Sequence, residues 1–494
     1  MNLLLITADQ FRGDALGHLG HPVAHTPNLD RLAASGVSFA RSYAVTSPCG
    51  PARASLHTGL HAHNHRSVLN GTPLDARIPT MAGAARAAGF APTLFGYTDT
   101  TADPTGLAAD DPRLFTYEGV LPGYDAGLAL PAHHRAWLDH VRARMPDLPD
   151  EFQAAHRPAD GRIGGPAAYP AAHSPTAFLA DAALNWLGAQ RSRWFLHLSF
   201  LRPHPPWTAP AEWLRRFAPD AMPRPRRAPD CAADAALHPL QAALIADTRA
   251  SAFVPGAPGR AADWTDAEVA GARATYFALL AELDQHVGRL LDFLDASGQA
   301  HDTLVVFTAD HGECLGDHHL FGKRGFAEEA YRVPLIVRDP APSCDAARGT
   351  RVEAFVESVD LMPTVLGWLG IAAPAGDGAS LAPFLRGATP PGWRDAVHWS
   401  FDFRELLEPA NGALGADPHR ATLLARRDAT HLAVRFADLP PLLLEPGAPG
   451  PLVPLDDAPR AAAMAEAMLA WRLAHENPLF SDLQATPSGP RRWR

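Results

Sequence analysis

A run of five residues near the N-terminus, Leu3-Leu4-Leu5-Ile6-Thr7, is almost wholly apolar and leads directly to Asp9 and Gln10. So short a run, apolar on both faces, reads as a buried strand of a parallel sheet rather than a half-exposed hairpin strand. Similar runs recur at 92–96, before Tyr97-Thr98-Asp99, at 194–200, before Arg202-Pro203-His204, and at 304–308, before Asp310-His311. Helical patterns alternate with them. One covers 27–35, with Thr26 as N-cap, Pro27 at the first position and Gly36 as its stop. Others start near Cys49 and run to His57, or cover 80–88, 175–190 and 266–296, the last being the longest. Further strands are expected at 37–45, 333–337 and 352–356. The alternation predicts an α/β fold: a large, mostly parallel central sheet sandwiched by helices. Polar residues gathered just past strand C-termini are where such folds keep their sites.

The pattern changes near residue 388. Beyond it, 396–401, 421–426 and 431–436 read as antiparallel strands and 459–475 as a final helix. The expected organisation is an α/β catalytic domain over 1–388 and a smaller antiparallel-sheet domain with a helix and tail over 389–494. Residues 99–172, rich in Pro, Gly and Asp, read mostly as irregular insertions. Residues 218–262 read as a lid, a contact arm or disorder. Both are expected to shape the mouth of a pocket. No internal repeat is detected.

The formal charge of −10 argues against nucleic acid as a partner, since phosphate backbones need a basic surface. A small anionic substrate needs only a local positive pocket. No stretch approaches the roughly 18 apolar residues of a membrane span. The N-terminal run is too short, and lacks the basic flank, for a signal peptide. A soluble, cytoplasmic protein is expected. The four cysteines form no close-spaced pair, so neither a zinc knot nor a disulfide framework is indicated. Of 43 Lys and Arg residues only Lys323 is a lysine. A lysine kept in so arginine-biased a chain is either a chance surface survivor or does what arginine cannot.

Asp9, Asp310 and His311, at strand ends, would make a mixed oxygen and nitrogen site for one divalent cation. Cys49 lies at a helix start, where backbone N–H groups favour developing negative charge. Arg53 follows one helical turn later. The segment Cys49-Gly50-Pro51-Ala52-Arg53-Ala54-Ser55-Leu56-His57-Thr58-Gly59 resembles the signature of the sulfatase family, in the alkaline phosphatase superfamily. In that family this cysteine is oxidised to formylglycine by a dedicated enzyme. Residues 26–32, Asp310-His311-Gly312-Glu313 and 377–385 resemble further family segments, in order. Three departures resemble the phosphonate monoester hydrolase and phosphodiesterase branch. Asp9-Gln10 stands where sulfatases carry two acids, and Asp310-His311 where they carry Asp-Asn. Gly96-Tyr97-Thr98-Asp99 stands in place of Gly-Lys-Trp-His. Asn70, His204 and Lys323 resemble that branch too.

The resemblance implies a metal-dependent hydrolase of phosphonate monoesters and phosphodiesters, promiscuous towards sulfate esters. Asp9, Gln10, the group made from Cys49, Asp310 and His311 would hold one divalent ion; the histidine leans towards Mn²⁺ over Ca²⁺. Cys49, Arg53, His204 and Lys323 would be catalytic, and Asn70, Tyr97 and Asp99 would bind substrate. A neutral hydroxyl is expected where Asp99 stands. An acid facing an anion is unfavourable, so either Asp99 points away or the substrate preference has shifted. The partners implied are a small anionic ester, a formylglycine-generating enzyme acting on Cys49, and further copies of the chain in a homotetramer. The alternatives are an arylsulfatase and a catalytically silent anion-binding protein; intact Cys49, Arg53, Asp310 and Lys323 weigh against the second. His57, His61, His63 and His65 are assigned structural or solvent roles. His318 and His319 are placed to line the pocket, and Cys314 reads as a buried structural thiol.

Overall fold

The computed structural model describes all residues except 132–133, 408–413, 415–416, 448–449, 477–482 and 493–494. In chain order the first nine strands are β1 (Asn2–Ala8), β2 (Val37–Tyr43), β3 (Thr46–Ser47), β4 (Pro92–Gly96), β5 (Asp125–Ala129), β6 (Phe195–Phe200), β7 (Thr303–Ala309), β8 (Leu335–Arg338) and β9 (Thr350–Glu357). Eight of them form one sheet in the order β5-β4-β6-β1-β7-β8-β2-β9. Only β8 runs antiparallel to its neighbours, β7 and β2. The sheet is therefore mostly parallel and helix-covered, as the alternation requires.

β1 lies between β6 and β7, parallel to both, with Ala8 opposite Phe200 on one side and Ala309 on the other. That register brings the C-terminal ends of three buried strands to one edge, and with them Asp9, the 201–206 turn and Asp310. Side chains alternate across the sheet. Leu4 and Ile6 enter a core shared with helices Pro27–Ser35, Pro175–Ala189 and Asp266–Ala296. Leu3 and Leu5 enter the core on the opposite face, with Ala54 and Leu56 of helix Cys49–Thr58 and with helices Met81–Ala87 and Leu361–Trp368. The 31-residue helix Asp266–Ala296 starts on a capping box made by Thr265 and Glu268.

The second sheet contains β10 (Val397–Asp402), β11 (Thr422–Arg427), β12 (Leu432–Phe436) and β13 (Leu442–Leu444), paired antiparallel in sequence. Its far edge is β3, which comes from the first half of the chain and runs parallel to β10, with Thr46 opposite Ser400 and Ser47 opposite Phe401. The residues just before Cys49 thus belong to the second sheet. Helix Ala458–Ala474 packs Met464 and Met468 against Ala433 and Leu443.

Two stretches are more ordered than the sequence predicts. Residues 99–172 contain β5 and helix Arg135–Arg142. β5 is an edge strand, largely exposed, with an acid and a glycine among its five residues, so it lacks an apolar pattern. Within 218–262, helix Pro239–Asp247 buries Leu240, Leu244 and Ile245 in the core shared with the second sheet. Among the described residues no helix is long and apolar enough to cross a membrane.

Candidate active site

Helix Cys49–Thr58 points its first turn at the shared edge of β1 and β7. A side chain on Gly50 would meet the Asp99 carbonyl oxygen at 2.9 Å, so only glycine lets the helix start approach that closely. The Gly50 N–H donates to Asn70 Oδ1 at 2.9 Å, which leaves the Asn70 amide N–H groups as its remaining donors. Gly96, at φ 110°, brings its backbone against the Ser199 carbonyl, where a Cβ would sit 2.0 Å away, and so delivers Tyr97 and Asp99 to the same place.

Asp9, Cys49, Asp310 and His311 are all buried, and one ligand atom from each lies within 4.8 Å of the others. Cys49 Sγ is 3.4 Å from His311 Nε2 and 3.9 Å from Asp9 Oδ1. His311 Nδ1 lies 3.0 Å from the Gly312 carbonyl oxygen, which can only accept. The proton therefore sits on Nδ1, and Nε2 presents its lone pair to the cluster, the tautomer a metal-binding imidazole needs. Two carboxylates, one imidazole and the Cys49 position form a compact, mixed donor set that fits a single divalent cation. Gln10 stands at the rim. Its Nε2 donates to Glu313, and its Oε1 accepts from Lys323 Nζ at 3.1 Å.

Arg53 does not face the pocket. Its Nε donates to Asp310 Oδ2 at 3.0 Å and its Nη2 to Asp9 Oδ2 at 3.1 Å. Nη1 donates to the Tyr97 carbonyl at 2.8 Å and to Ser199 Oγ at 2.7 Å. The guanidinium lies over the Tyr97 ring, 4.4 Å from its centre, and the Tyr97 hydroxyl donates to Asp9 Oδ2 at 2.7 Å. Arg53 is thus a buried clamp on two carboxylates. Lys323 does face the cluster: Nζ is 2.9 Å from Cys49 Sγ and 4.0 Å from Asp9 Oδ1. The loop that carries it is tied down by Gly322 N–H donating to Glu313 Oε1 at 2.6 Å and Ser47 Oγ donating to the Lys323 carbonyl at 2.8 Å.

Charge is unevenly shared here. Burial opposes ionisation of Asp9, but His204, Lys323, His311 and Arg53 outweigh it and hold the carboxyl well below its ordinary range. Burial, with Asp9 beside it, pushes Asp310 up to about 6. Burial pushes the Cys49 thiol well up. Burial and Lys323 bring His311 down to about 3 and His204 to about 4. His204 Nδ1 donates to the Pro205 carbonyl at 2.6 Å, which leaves Nε2 for the pocket.

Above the cluster lies a cavity of about 220 Å³. Asp9, Cys49, Asn70, Tyr97, Asp99, His204 and Lys323 line it, so the fold gathers seven residues from six separate segments. Asp99 does not point away. His318 and His319 are elsewhere: His318 pairs with Glu329 at 3.4 Å and His319 with Asp234 at 2.6 Å. Each finds a buried carboxylate near its own loop, which outcompetes the pocket. His57, His61 and His65 are buried, and His61 stacks with His63 and packs edge-on against Trp471 of the C-terminal helix. Cys314 is fully buried.

Residues 1–371 match the family Sulfatase. The chain belongs to the sulfatase family. The multifunctional alkaline phosphatase superfamily protein PehA of Trinickia caryophylli is 39% identical to it, over 99% of this chain and 98% of that protein. The solved phosphonate monoester hydrolase of Agrobacterium radiobacter superposes with a TM-score of 0.94 at 42% identity, over 100% of this chain and 99% of that one. The arylsulfatase of Clostridium perfringens is more distant, 26% identical over 82% of each chain. Close homologues of this sulfatase-family chain are thus phosphonate monoester hydrolases, and sulfatases are among its wider relatives.

Other residues that line or brace the site of this family member escaped the sequence reading. Tyr117, Glu118, His134, Phe152 and Gln153 form a pocket wall. They come from 99–172, whose pattern carries no strand or helix signal strong enough to place them. Ser199 had one signal, a hydroxyl in an otherwise apolar strand end. Glu313 had another, an acid following the Asp310-His311-Gly312 turn.

Proposed function

We propose that this protein hydrolyses phosphonate monoesters and phosphodiesters with a formylglycine made from Cys49, and accepts sulfate esters more slowly. The observation that carries the reading is the placement of Lys323 Nζ 2.9 Å from Cys49 Sγ, on the rim of the buried Asp9–Cys49–Asp310–His311 cluster and in the lining of the cavity above it. In this reading Asp9, Asp310, His311 and the group made from Cys49 hold one divalent ion, with Gln10 at the rim, and the histidine favours Mn²⁺ over Ca²⁺. The ion, when bound, lowers the pKa of the hydroxyl that formylglycine hydrate supplies and polarises the ester.

The chain's own residues do the rest. Arg53 is a positioning residue, fixing Asp9 and Asp310 so that they need not reorganise during the reaction. Lys323 supplies a preformed positive charge where negative charge gathers on the ester oxygens. Asn70 offers a neutral N–H donor, which suits a singly charged ester. Tyr97 orients Asp9 through its hydroxyl and lines the pocket. His204 is neutral at neutral pH, and its Nε2 is placed to take up a proton and return it to the departing oxygen. Asp99 contacts the bound substituent. A formylglycine-generating enzyme, a cytoplasmic setting and a homotetramer complete the proposal.

Parallel rates of the metal-loaded enzyme on an aryl phosphonate monoester, an aryl phosphodiester and an aryl sulfate test it, together with the mass of the peptide containing Cys49. Faster turnover of the two phosphorus esters and a formylglycine mass are expected. An aryl sulfate turned over fastest would select the arylsulfatase reading instead.

A further inference from the structure

One wall of the pocket is built for the wrong charge if the substrate is only an anion. Asp99 is 9% exposed, and its carboxyl makes no hydrogen bond or ion pair among the described residues. Its backbone has the left-handed φ of 48°, held by the turn after Gly96, so it is fixed in the lining rather than swinging in from solvent. Half-buried Glu118 lines the same cavity, and so do the rings of Tyr117 and Phe152. Burial pushes Asp99 up to about 7, and burial followed by Glu118 and Asp99 raises Tyr117.

A desolvated carboxyl without a hydrogen-bond partner is costly to keep ionised, and the charges of Arg53 and Lys323 offset that cost only in part. Aromatic faces beside carboxylates are the surroundings that hold an ammonium group, by ion pairing on one side and by the ring quadrupole on the other. The same cavity is lined by Lys323, Asp9 and Cys49, which suit the anionic phosphoryl centre. The cavity of about 220 Å³ is smaller than a drug-sized ligand needs, so the two charges of a ligand must lie close together.

We propose that the preferred substrates are zwitterionic: small phosphodiesters or phosphonate monoesters whose substituent carries an ammonium group, seated on the wall formed by Asp99, Glu118, Tyr117 and Phe152. The proposal rests on the hydrolase reading above and deepens it. Asp99 is then a specificity residue: it sets which substituent is accepted, while the metal cluster and Lys323 act on the phosphoryl centre whatever that substituent is.

Two esters with the same 4-nitrophenyl leaving group and substituents of equal shape test it: the 2-(trimethylammonio)ethyl diester of phosphate and its neutral 3,3-dimethylbutyl counterpart. The wild-type enzyme is expected to favour the cationic ester about tenfold in kcat/KM. Asp99→Asn should bring the ratio near one, with Asp99→Thr used should the first variant fail to fold, and Glu118→Gln should lower it part-way. A wild-type ratio of one or less overturns the proposal, as does a folded Asp99 variant that keeps the full preference. Turnover of neither ester would count against the hydrolase reading alone. Calorimetric binding of phosphorylcholine against 3,3-dimethylbutyl phosphate then decides the wall, with tighter binding of the cation supporting it and equal or weaker binding overturning it.

Discussion

The floor and the wall of the pocket are built on opposite principles. On the floor, Arg53, Tyr97 and Lys323 hold the charged groups of Asp9 and Asp310 in a network in which nearly every donor has an acceptor. On the wall, Asp99 is almost as deeply buried yet lacks a partner among the described residues. A saturated network resists change and fixes one geometry. An unsatisfied wall leaves free energy to be supplied by whatever binds. In the proposed reading, chemistry is placed where the protein is self-sufficient, and selectivity where it is not.

Substitutions on the floor should therefore cost far more than those on the wall, and the largest loss should come from Cys49→Ala. Turnover should fall by at least about 10³-fold while thermal unfolding stays close to wild type, because only the nucleophile is lost. A Cys49→Ala enzyme with near wild-type rates would end the formylglycine reading. Chelation followed by dialysis should bring the rate to background, with Mn²⁺ restoring more of it than Ca²⁺. Full activity in protein shown metal-free by elemental analysis would contradict that.

Next in size is Lys323. Removing one preorganised charge contact costs on the order of 10²–10³ in rate, so Lys323→Ala should lose about that much on an aryl phosphonate monoester. Lys323→Arg should lose a large part of it, because a longer planar guanidinium does not fit a site 2.9 Å from Cys49 Sγ. An unchanged Lys323→Ala enzyme would return the residue to the status of a chance survivor.

Glu282 tests buried charge away from both regions. Burial, only partly offset by Arg202, pushes its carboxyl up to about 7. The unfolded chain releases this proton near the ordinary glutamate value and the folded chain only near 7. Stability should therefore fall as pH rises from about 4.5 to 7 and level off above. Glu282→Gln should remove that fall and be more stable than wild type at pH 8 by up to roughly 3 kcal/mol. Melting curves at pH 5 and pH 8 check it: an equal gap at the two pH values would mean that Glu282 does not titrate in this range. The smallest effect should be at the wall. Gln153→Ala should alter kcat/KM on a neutral aryl phosphonate by less than about threefold, and a hundredfold loss would show that the wall takes part in the chemistry.

What the sequence disclosed follows the same division. β1 and β7 are buried strands whose polar residues come directly at their ends, so Asp9, Asp310 and His311 were visible as candidates without any structure. Cys49 and Arg53 sit one helical turn apart in a local motif, and Lys323 was marked by being the only lysine in the chain. Of the wall only Asp99 was visible, at a strand end, because Tyr117, Glu118, Phe152 and Gln153 reach the site through tertiary contacts from a segment rich in turn residues. β5 stayed hidden for a related reason: a strand with one paired edge and exposed side chains need not alternate. The direction of Arg53 could not be read either. Its spacing from Cys49 suggested a contact with the nucleophile, but two buried carboxylates made the stronger claim.

The small strand β3 also has a consequence for the order of events during synthesis. Thr46 and Ser47 are held by β10, a strand encoded in the last quarter of the chain, and Cys49 directly beyond them ends up 4% exposed. Translation proceeds at about 5–20 residues per second, so the cysteine leaves the ribosome roughly tens of seconds before the strand that zips against its flank. In the formylglycine reading, an oxidising enzyme that must reach the thiol would have that interval in which to act. Once Val397–Asp402 has docked, the backbone just before Cys49 is held in the second sheet. The fraction of active enzyme in a cell would then be fixed by a race at the ribosome, and slowing translation ahead of β10 would raise it without changing a single residue of the protein.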